Sequence, residues 1–105
     1  MNSKIDLQTI ADELDFDLED VEMLIEVFLS EANKTLESLK KAIDINGLES
    51  VFTYAHAIKG SASNLTLREI SNIAREMEHN AKEKSEFDYA NSFEILKQLI
   101  NNINM

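Results

Sequence analysis

The fold of this chain is decided by LEDVEMLIEVFLSEANKTLESLKKAIDI, which is residues 18–45 of a 105-residue sequence. Apolar side chains recur through this segment at spacings of three and four, which places them on one face of a single long helix. They are Leu18, Val21, Ile25, Leu29, Ala32, Leu36, Leu39 and Ile43. Asp17 is placed to cap the start of this helix. Asn46-Gly47 is predicted to end it, because glycine tolerates a left-handed C-cap.

Further helices are predicted on both sides of this segment. The second should span about residues 48–64, and the third should follow a capping box formed by Thr66 and Glu69. The fourth should span about residues 88–104, and a short extra helix around Ile5–Leu14 should lie across one end. Short connections favour antiparallel neighbours. The predicted fold is therefore all-α, an antiparallel up-down four-helix bundle with a short additional N-terminal helix, forming a single domain over residues 1–105.

Composition narrows the classes of partner. Twenty acidic residues against ten basic ones give a net charge of -10. A phosphate backbone or an anionic lipid surface would be repelled, so neither nucleic acid nor a membrane is an expected partner. The sequence has no cysteine, and no apolar run approaches the ~20 residues of a membrane span. We expect a cytoplasmic protein that is a monomer.

The second predicted helix carries a strip of chemically useful side chains in AHAIKGSASN, residues 55–64. On a helical wheel His56 lies about 120° from the centre of the buried face, and Lys59, Gly60 and Ser63 fall within about 60° of His56. A neutral imidazole, with an ordinary pKa of about 6.5, has an unprotonated nitrogen that can attack phosphorus. Lys59 would offset charge on a phosphoryl group, and Ser63 would donate a hydrogen bond to it.

Gly60 admits two interpretations. Glycine inside a helix costs roughly 0.5–1 kcal/mol relative to alanine, so something must compensate for it. In one interpretation, the missing side chain lets the backbone of another protein approach His56. In the other, two helices of this chain pack closely at Gly60, and His56 is an ordinary surface residue.

The segment YAHAIKGSASNL, residues 54–65, resembles the signature of histidine-containing phosphotransfer (HPt) domains, which are phosphorelay intermediates. The resemblance extends to Ile70, Ala74 and Met77-Glu78. It implies that His56 accepts a phosphoryl group from a receiver-domain phosphoaspartate and passes it to another receiver-domain aspartate. It also implies that Lys59 stabilises charge and that Gly60 provides clearance. Thr66 departs from the family pattern, because many relatives have glycine after Asn-Leu.

The resemblance implies response-regulator receiver domains as partners, with a hybrid histidine kinase as a further candidate. Phosphoryl transfer depends mainly on positioning and charge stabilisation, so Mg²⁺ and the aspartate are expected on the partner. The sequence has no glycine-rich phosphate cradle. We therefore expect no cofactor, no kinase activity and no nucleotide-binding activity in this chain. Met1 and the absence of a linker favour a free-standing protein, with a domain of a larger kinase left open.

Three other classes compete with this interpretation. A kinase dimerisation domain usually has an acidic residue directly after its histidine, where this chain has Ala57. An esterase or phosphatase needs a nucleophile with an oriented partner, and no such arrangement is recognisable. A non-catalytic helical scaffold or interaction bundle stays open as the alternative function.

The long first bundle helix has apolar residues beyond its core stripe, namely Met23, Leu24, Val27 and Phe28. Either the short N-terminal helix covers them, or they form a docking surface beside His56 for an apolar helix of a receiver domain. Methionine suits such a surface because it repacks easily against different partners.

A metal site is not expected. Glu76 and His79 have the Glu-x-x-His spacing of di-iron bundles, but those proteins need two such motifs pointing inward. His79 is predicted to face solvent as an ordinary surface residue. The acidic residues between positions 12 and 20 lack the spacing of a calcium loop.

Overall fold

The computed structural model describes residues 6–103, which form five α-helices. They are α1 (Leu7–Leu14), α2 (Leu18–Asp44), α3 (Leu48–Asn64), α4 (Arg68–Glu83) and α5 (Tyr89–Asn101). The predicted all-α fold is confirmed, and the helices begin and end within a few residues of the predicted positions. Ile5 and Asn104, which were predicted to be helical, lie outside the described residues. Within residues 6–103, none of the helices has the length and hydropathy needed to cross a bilayer.

The four longer helices close into a ring around one core. Helix α2 packs on α3 and α5, and α4 packs on the same two helices. Helices α3 and α4 are antiparallel, because Ser63 lies beside Ser71 while Lys59 lies beside Glu78. Burying each large apolar side chain contributes roughly 1.5–3 kcal/mol, so the core is the main source of stability. Its most deeply buried large side chains are Ile25, Leu39, Ile58, Ile70, Met77, Leu96 and Ile100.

The predicted short N-terminal helix is present as α1, and it packs on α2. Its residues Ile10 and Ala11 are buried in the common core. Arg68, at the start of α4, donates to both carboxylate oxygens of Glu13 at 2.7 and 3.3 Å. This bidentate pair lowers the pKa of Glu13, first through the hydrogen bond and also through the charge of Arg68. The pair links α1 to the start of α4, but it is exposed to solvent and contributes little to stability.

The connection between α2 and α3 differs from the prediction. Asn46, not Gly47, takes the left-handed conformation, with φ at 55°. Gly47 has φ at -87° and is the N-cap residue of α3. Asparagine tolerates the left-handed region better than most residues, so the turn does not need glycine there.

The predicted capping box at Thr66 is wrong. Helix α4 begins at Arg68, and its N-cap residue is Leu67, without a side-chain cap. Thr66 belongs to the end of α3 and has φ at 57°, a conformation that is strained for a β-branched residue. The Leu67 amide closes the turn by donating to the Ala62 carbonyl at 2.9 Å. The Thr66 hydroxyl is buried without a hydrogen-bond partner in the described part of the chain.

Candidate functional site

His56 lies in the middle of α3 with its ring open to solvent. Its side chain is 60% exposed. The ring stacks on Phe52, one helical turn earlier, with centroids 5.9 Å apart and planes inclined by 12°. Phe52 therefore supports one face of the imidazole. The prediction that His56 stands at the solvent boundary is confirmed.

A carboxylate from α4 binds the His56 ring. Both oxygens of Glu78 lie 3.3 Å from His56 Nδ1. The same carboxylate accepts from Lys59 Nζ, at 2.8 Å to Oε1 and 3.1 Å to Oε2. The Glu78 side chain is only 14% exposed. The antiparallel pairing of α3 and α4 thus joins a histidine, a lysine and a glutamate into one polar triad, His56–Lys59–Glu78.

The charge state of Glu78 fixes the tautomer of His56. Burial of the Glu78 carboxyl raises its pKa, but hydrogen bonds from Lys59 and His56 outweigh that effect and hold the pKa below its ordinary value. Glu78 is therefore an anion at neutral pH, and an anionic carboxylate can only accept hydrogen bonds. His56 must bind it through Nδ1–H, so a neutral ring keeps its lone pair on Nε2.

Glu78 is the site residue that the sequence analysis missed. It was noted only as part of the resemblance, and it stands 22 residues from His56. A signal was present, because Glu78 lies one turn from both Ala74 and Ala81, which are buried. A carboxylate on the buried edge of a helix requires a partner. Identifying that partner required knowing how α3 and α4 align.

Lys59 and Ser63 both bind groups on α4. The Lys59 side chain is 28% exposed, and its ammonium contacts Glu78. The Ser63 hydroxyl lies 2.6 Å from that of Ser71, and Ser71 also donates to the Lys59 carbonyl at 3.4 Å. The structure therefore brings Lys59 to the His56 site. It ties Ser63 to α4 two turns away, and the predicted hydrogen bond from Ser63 to a phosphoryl group stays a prediction.

Gly60 is open on its outer side. A Cβ atom built at Gly60 would meet no described atom within 4 Å outside its own stretch of helix. Close helix packing at Gly60 is therefore the wrong interpretation of this glycine. The neighbouring exposed positions Ala57, Ser61 and Ser63 also carry short side chains. The exposed surface of α3 beyond His56 therefore projects little above the helix backbone.

The four predicted docking residues separate into two groups. Met23 and Val27 are 65% and 62% exposed, and Leu24 is 38% exposed. Phe28 is 5% exposed and belongs to the core, because it lies one turn from the buried residues Ile25 and Ala32. Its assignment to an exposed surface was wrong. Helix α1 leaves the other three exposed, so the interpretation in which it covers them is also wrong.

The apolar surface also extends toward the start of α2. Phe16 is 48% exposed and Leu18 is 42% exposed. Leu18 was predicted to lie in the core stripe, but the stripe begins only at Val21, which is fully buried. The exposed apolar surface therefore covers both the connection before α2 and the first turns of that helix.

His79, on α4, is exposed as predicted. Over residues 6–103 it forms neither a side-chain hydrogen bond nor an ion pair. The same part of the chain contains no group of three or more histidine, aspartate or glutamate side chains arranged to hold a metal ion. The polar triad is thus built around one of the two histidines.

The sequence of the chain is similar to that of known proteins. The sequence model of a family described as "Hpt domain" matches residues 23–104. A 65-residue stretch is 37% identical to "Phosphorelay intermediate protein YPD1" of Candida albicans, covering 62% of this chain and 35% of that protein. The match thus spans about a third of the length of that curated relative. No solved structure matches the chain.

Proposed function

This chain belongs to the HPt family, the histidine phosphotransfer domains of phosphorelays, and on that premise we propose that His56 is the residue that carries the phosphoryl group. One observation carries the proposal. The His56 ring is exposed, while its Nδ1 is bound to a mostly buried, anionic Glu78. This arrangement keeps the ring accessible and leaves Nε2 as the nucleophilic nitrogen.

The reaction begins with a receiver domain that carries phosphoaspartate. The Nε2 lone pair of His56 attacks phosphorus, forming an N–P bond as the bond between phosphorus and the aspartate oxygen breaks. The aspartate carboxylate leaves with the electron pair of that bond. A second receiver later takes the phosphoryl group by the reverse reaction, in which its aspartate oxygen attacks and Nε2 leaves. His56 is acceptor in the first step and donor in the second.

Glu78 contributes by positioning the ring and by its charge. Positive charge develops on the imidazole as Nε2 attacks, and the Nδ1–H bond to the carboxylate becomes stronger as that charge grows. The stacking of Phe52 limits rotation of the His56 ring during the attack. Glu78 is therefore a positioning residue that stabilises the transition state without touching the phosphoryl group.

Lys59 supplies the positive charge for the phosphoryl oxygens. Its ammonium is anchored on Glu78, the carboxylate that also holds His56. A lysine held there places positive charge beside the His56 ring, and it reduces the repulsion that a net charge of -10 would impose on a phosphoryl group. Mg²⁺ is assigned to the receiver domain, which supplies the rest of the charge stabilisation.

The receiver domain docks on the surface that includes Met23, Leu24 and Val27. The missing side chain at Gly60 leaves space beside His56 for the backbone of the receiver domain. The exposure of the three apolar side chains supports this surface, and the open space above Gly60 supports the clearance. A hybrid histidine kinase is the proposed source of the phosphoryl group upstream. We assign the protein to the cytoplasm as a monomer.

The test is transfer from a radiolabelled phosphoreceiver. The wild type and His79→Gln should both acquire phosphate that is labile in acid and stable in base. His56→Gln should acquire none while keeping its helical circular dichroism. Label on His56→Gln would overturn the assignment, and the absence of label on the wild type with several receivers would favour a scaffold bundle.

A further inference from the structure

A groove lies on the side of the bundle away from His56. It runs between α2 and α5 and encloses a volume of about 640 Å³. Leu36 and Phe93 line it, and both are buried core residues. We call it the lysine groove, because its walls carry Lys34, Lys40, Lys41 and Lys97.

The lysine groove and the polar triad lie at opposite helix–helix interfaces of the bundle. The four long helices pack in the order α2, α3, α4, α5, and α5 closes the ring against α2. Contacts from His56 and Lys59 to Glu78 bridge α3 and α4, whereas the groove lies between α5 and α2. A molecule in the lysine groove therefore leaves His56 open to a receiver domain.

The charge of the groove departs from that of the whole chain. The sequence has twice as many acidic as basic residues, yet four of its eight lysines line this groove. Over residues 6–103, only Lys40 among the four forms an ion pair, at 3.6 Å to Asp44, and that pair is about 60% exposed. Such a pair contributes little, so the lysines of the groove have charge available for an anionic partner.

We propose that the lysine groove is a docking surface for an acidic amphipathic helix of a partner protein. Leu36 and Phe93 close the base of the groove, and the aliphatic stems of its lysines add apolar surface above them. A groove of this kind between two helices takes apolar side chains spaced three and four residues apart. Lysines on both walls then face acidic residues that flank that apolar stripe on the partner helix. The polarity of the groove thus matches a helix that is apolar on one face and acidic beside it.

The spacing of the charges favours a helix over a compact polyphosphate. Lys34 and Lys41 are seven residues apart on α2, which corresponds to about 10 Å along its axis. Glu37 lies between them on the same face, and Asp44 follows one turn after Lys41. Alternating charges along about three turns oppose a single dense anion and accommodate a ligand whose acidic groups are spread out.

The test uses a synthetic 14-residue peptide with leucines at helical spacing and glutamates beside them. Its binding is measured by isothermal titration calorimetry, and its position by amide chemical shifts. Shifts should be confined to α2 and α5. Lys34→Glu combined with Lys41→Glu should weaken binding about tenfold or more, which corresponds to roughly 1.4 kcal/mol.

The matched control is Lys82→Glu combined with Lys84→Glu, which changes the net charge equally at the end of α4, outside the groove. It should leave the affinity within about twofold. Equal weakening by both double variants would overturn the proposal, as would equal binding of a peptide with lysines in place of glutamates. Inorganic pyrophosphate shifting the same residues with equal affinity would also overturn it.

Phosphorylation of His56 distinguishes a failure of the groove proposal from a failure of the proposed function. The Lys34→Glu/Lys41→Glu variant should accept a phosphoryl group at the wild-type rate, because its changes lie on the opposite seam. Peptide binding that persists in His56→Gln would support the groove even if the proposed role of His56 failed.

Discussion

His56 and His79 stand on neighbouring antiparallel helices, and both rings are exposed. They differ in what lies across the seam. His56 rests on Phe52 and binds a mostly buried carboxylate that Lys59 also binds, whereas His79 has no polar side-chain partner within residues 6–103. Exposure alone therefore does not separate the proposed phosphoacceptor from the other histidine. The two differ in the carboxylate that holds Nδ1 of His56, and that carboxylate belongs to a residue of the adjacent helix.

Replacing Glu78 is the most direct test of this difference between His56 and His79. Glu78→Gln preserves the shape of the side chain but removes the charge that holds Nδ1–H and Lys59. Transfer to His56 should slow about tenfold to a hundredfold, on the order of 1.4–2.7 kcal/mol in activation free energy. Rapid-quench kinetics with a phosphoreceiver measures this rate.

Glu76→Gln is the matched control, because Glu76 is an exposed glutamate on α4 close in sequence to His79. It should leave the transfer rate unchanged. Equal rates for wild type and Glu78→Gln would mean that the polar triad has no part in the reaction.

Replacing Gly60 tests whether docking of the receiver domain needs the short side chains beside His56. Gly60→Gln should slow transfer about tenfold by obstructing the receiver, while the fold is retained because the outer side of Gly60 is open. Gly60→Ala should raise the free energy of unfolding by roughly 0.5–1 kcal/mol. Chemical denaturation and transfer kinetics separate the two effects.

Ala90→Gln is the control for Gly60→Gln, because Ala90 is an exposed small residue on α5. Its transfer rate should match the wild type. A Gly60→Gln rate equal to that of Ala90→Gln would remove the case for steric clearance.

Replacing Thr66 tests whether the turn after α3 is strained. Thr66→Gly should stabilise the protein by about 1 kcal/mol, because glycine adopts a positive φ without strain and removes a buried, unpaired hydroxyl. Urea denaturation measures this gain. Thr53→Gly, in the regular part of α3, should instead destabilise the protein, and a loss of stability in Thr66→Gly would contradict the account of this turn.

The smallest expected effect is on acid stability. The folded pKa of Glu78 is lowered, so the stability that Glu78 contributes is complete above its unfolded pKa and is lost as the pH falls through the folded value. Denaturation of wild type and Glu78→Gln across the acid range should show a shallower decline in the variant. A parallel decline in both would mean that the carboxylate is not held as described.

The helices could be predicted from the sequence because each buries one apolar face, and that periodicity is local. The errors at Gly47 and Thr66 arose where two helices join, because the backbone conformation there is set by how the helices pack and not by residue preference alone. Phe28 was misplaced because the width of the buried face depends on the neighbours of α2. Glu78 was missed because its partner lies on another helix, and no local pattern gives the alignment of α3 with α4.

The most direct test of the central claim is the identity of the phosphorylated nitrogen. Two-dimensional nitrogen–phosphorus NMR on the ¹⁵N-histidine-labelled, phosphorylated protein resolves Nδ1 from Nε2 and His56 from His79. We predict a single phosphoryl group on Nε2 of His56, with Nδ1 still protonated. A phosphoryl group on Nδ1 of His56, or on His79, would contradict the role assigned to Glu78.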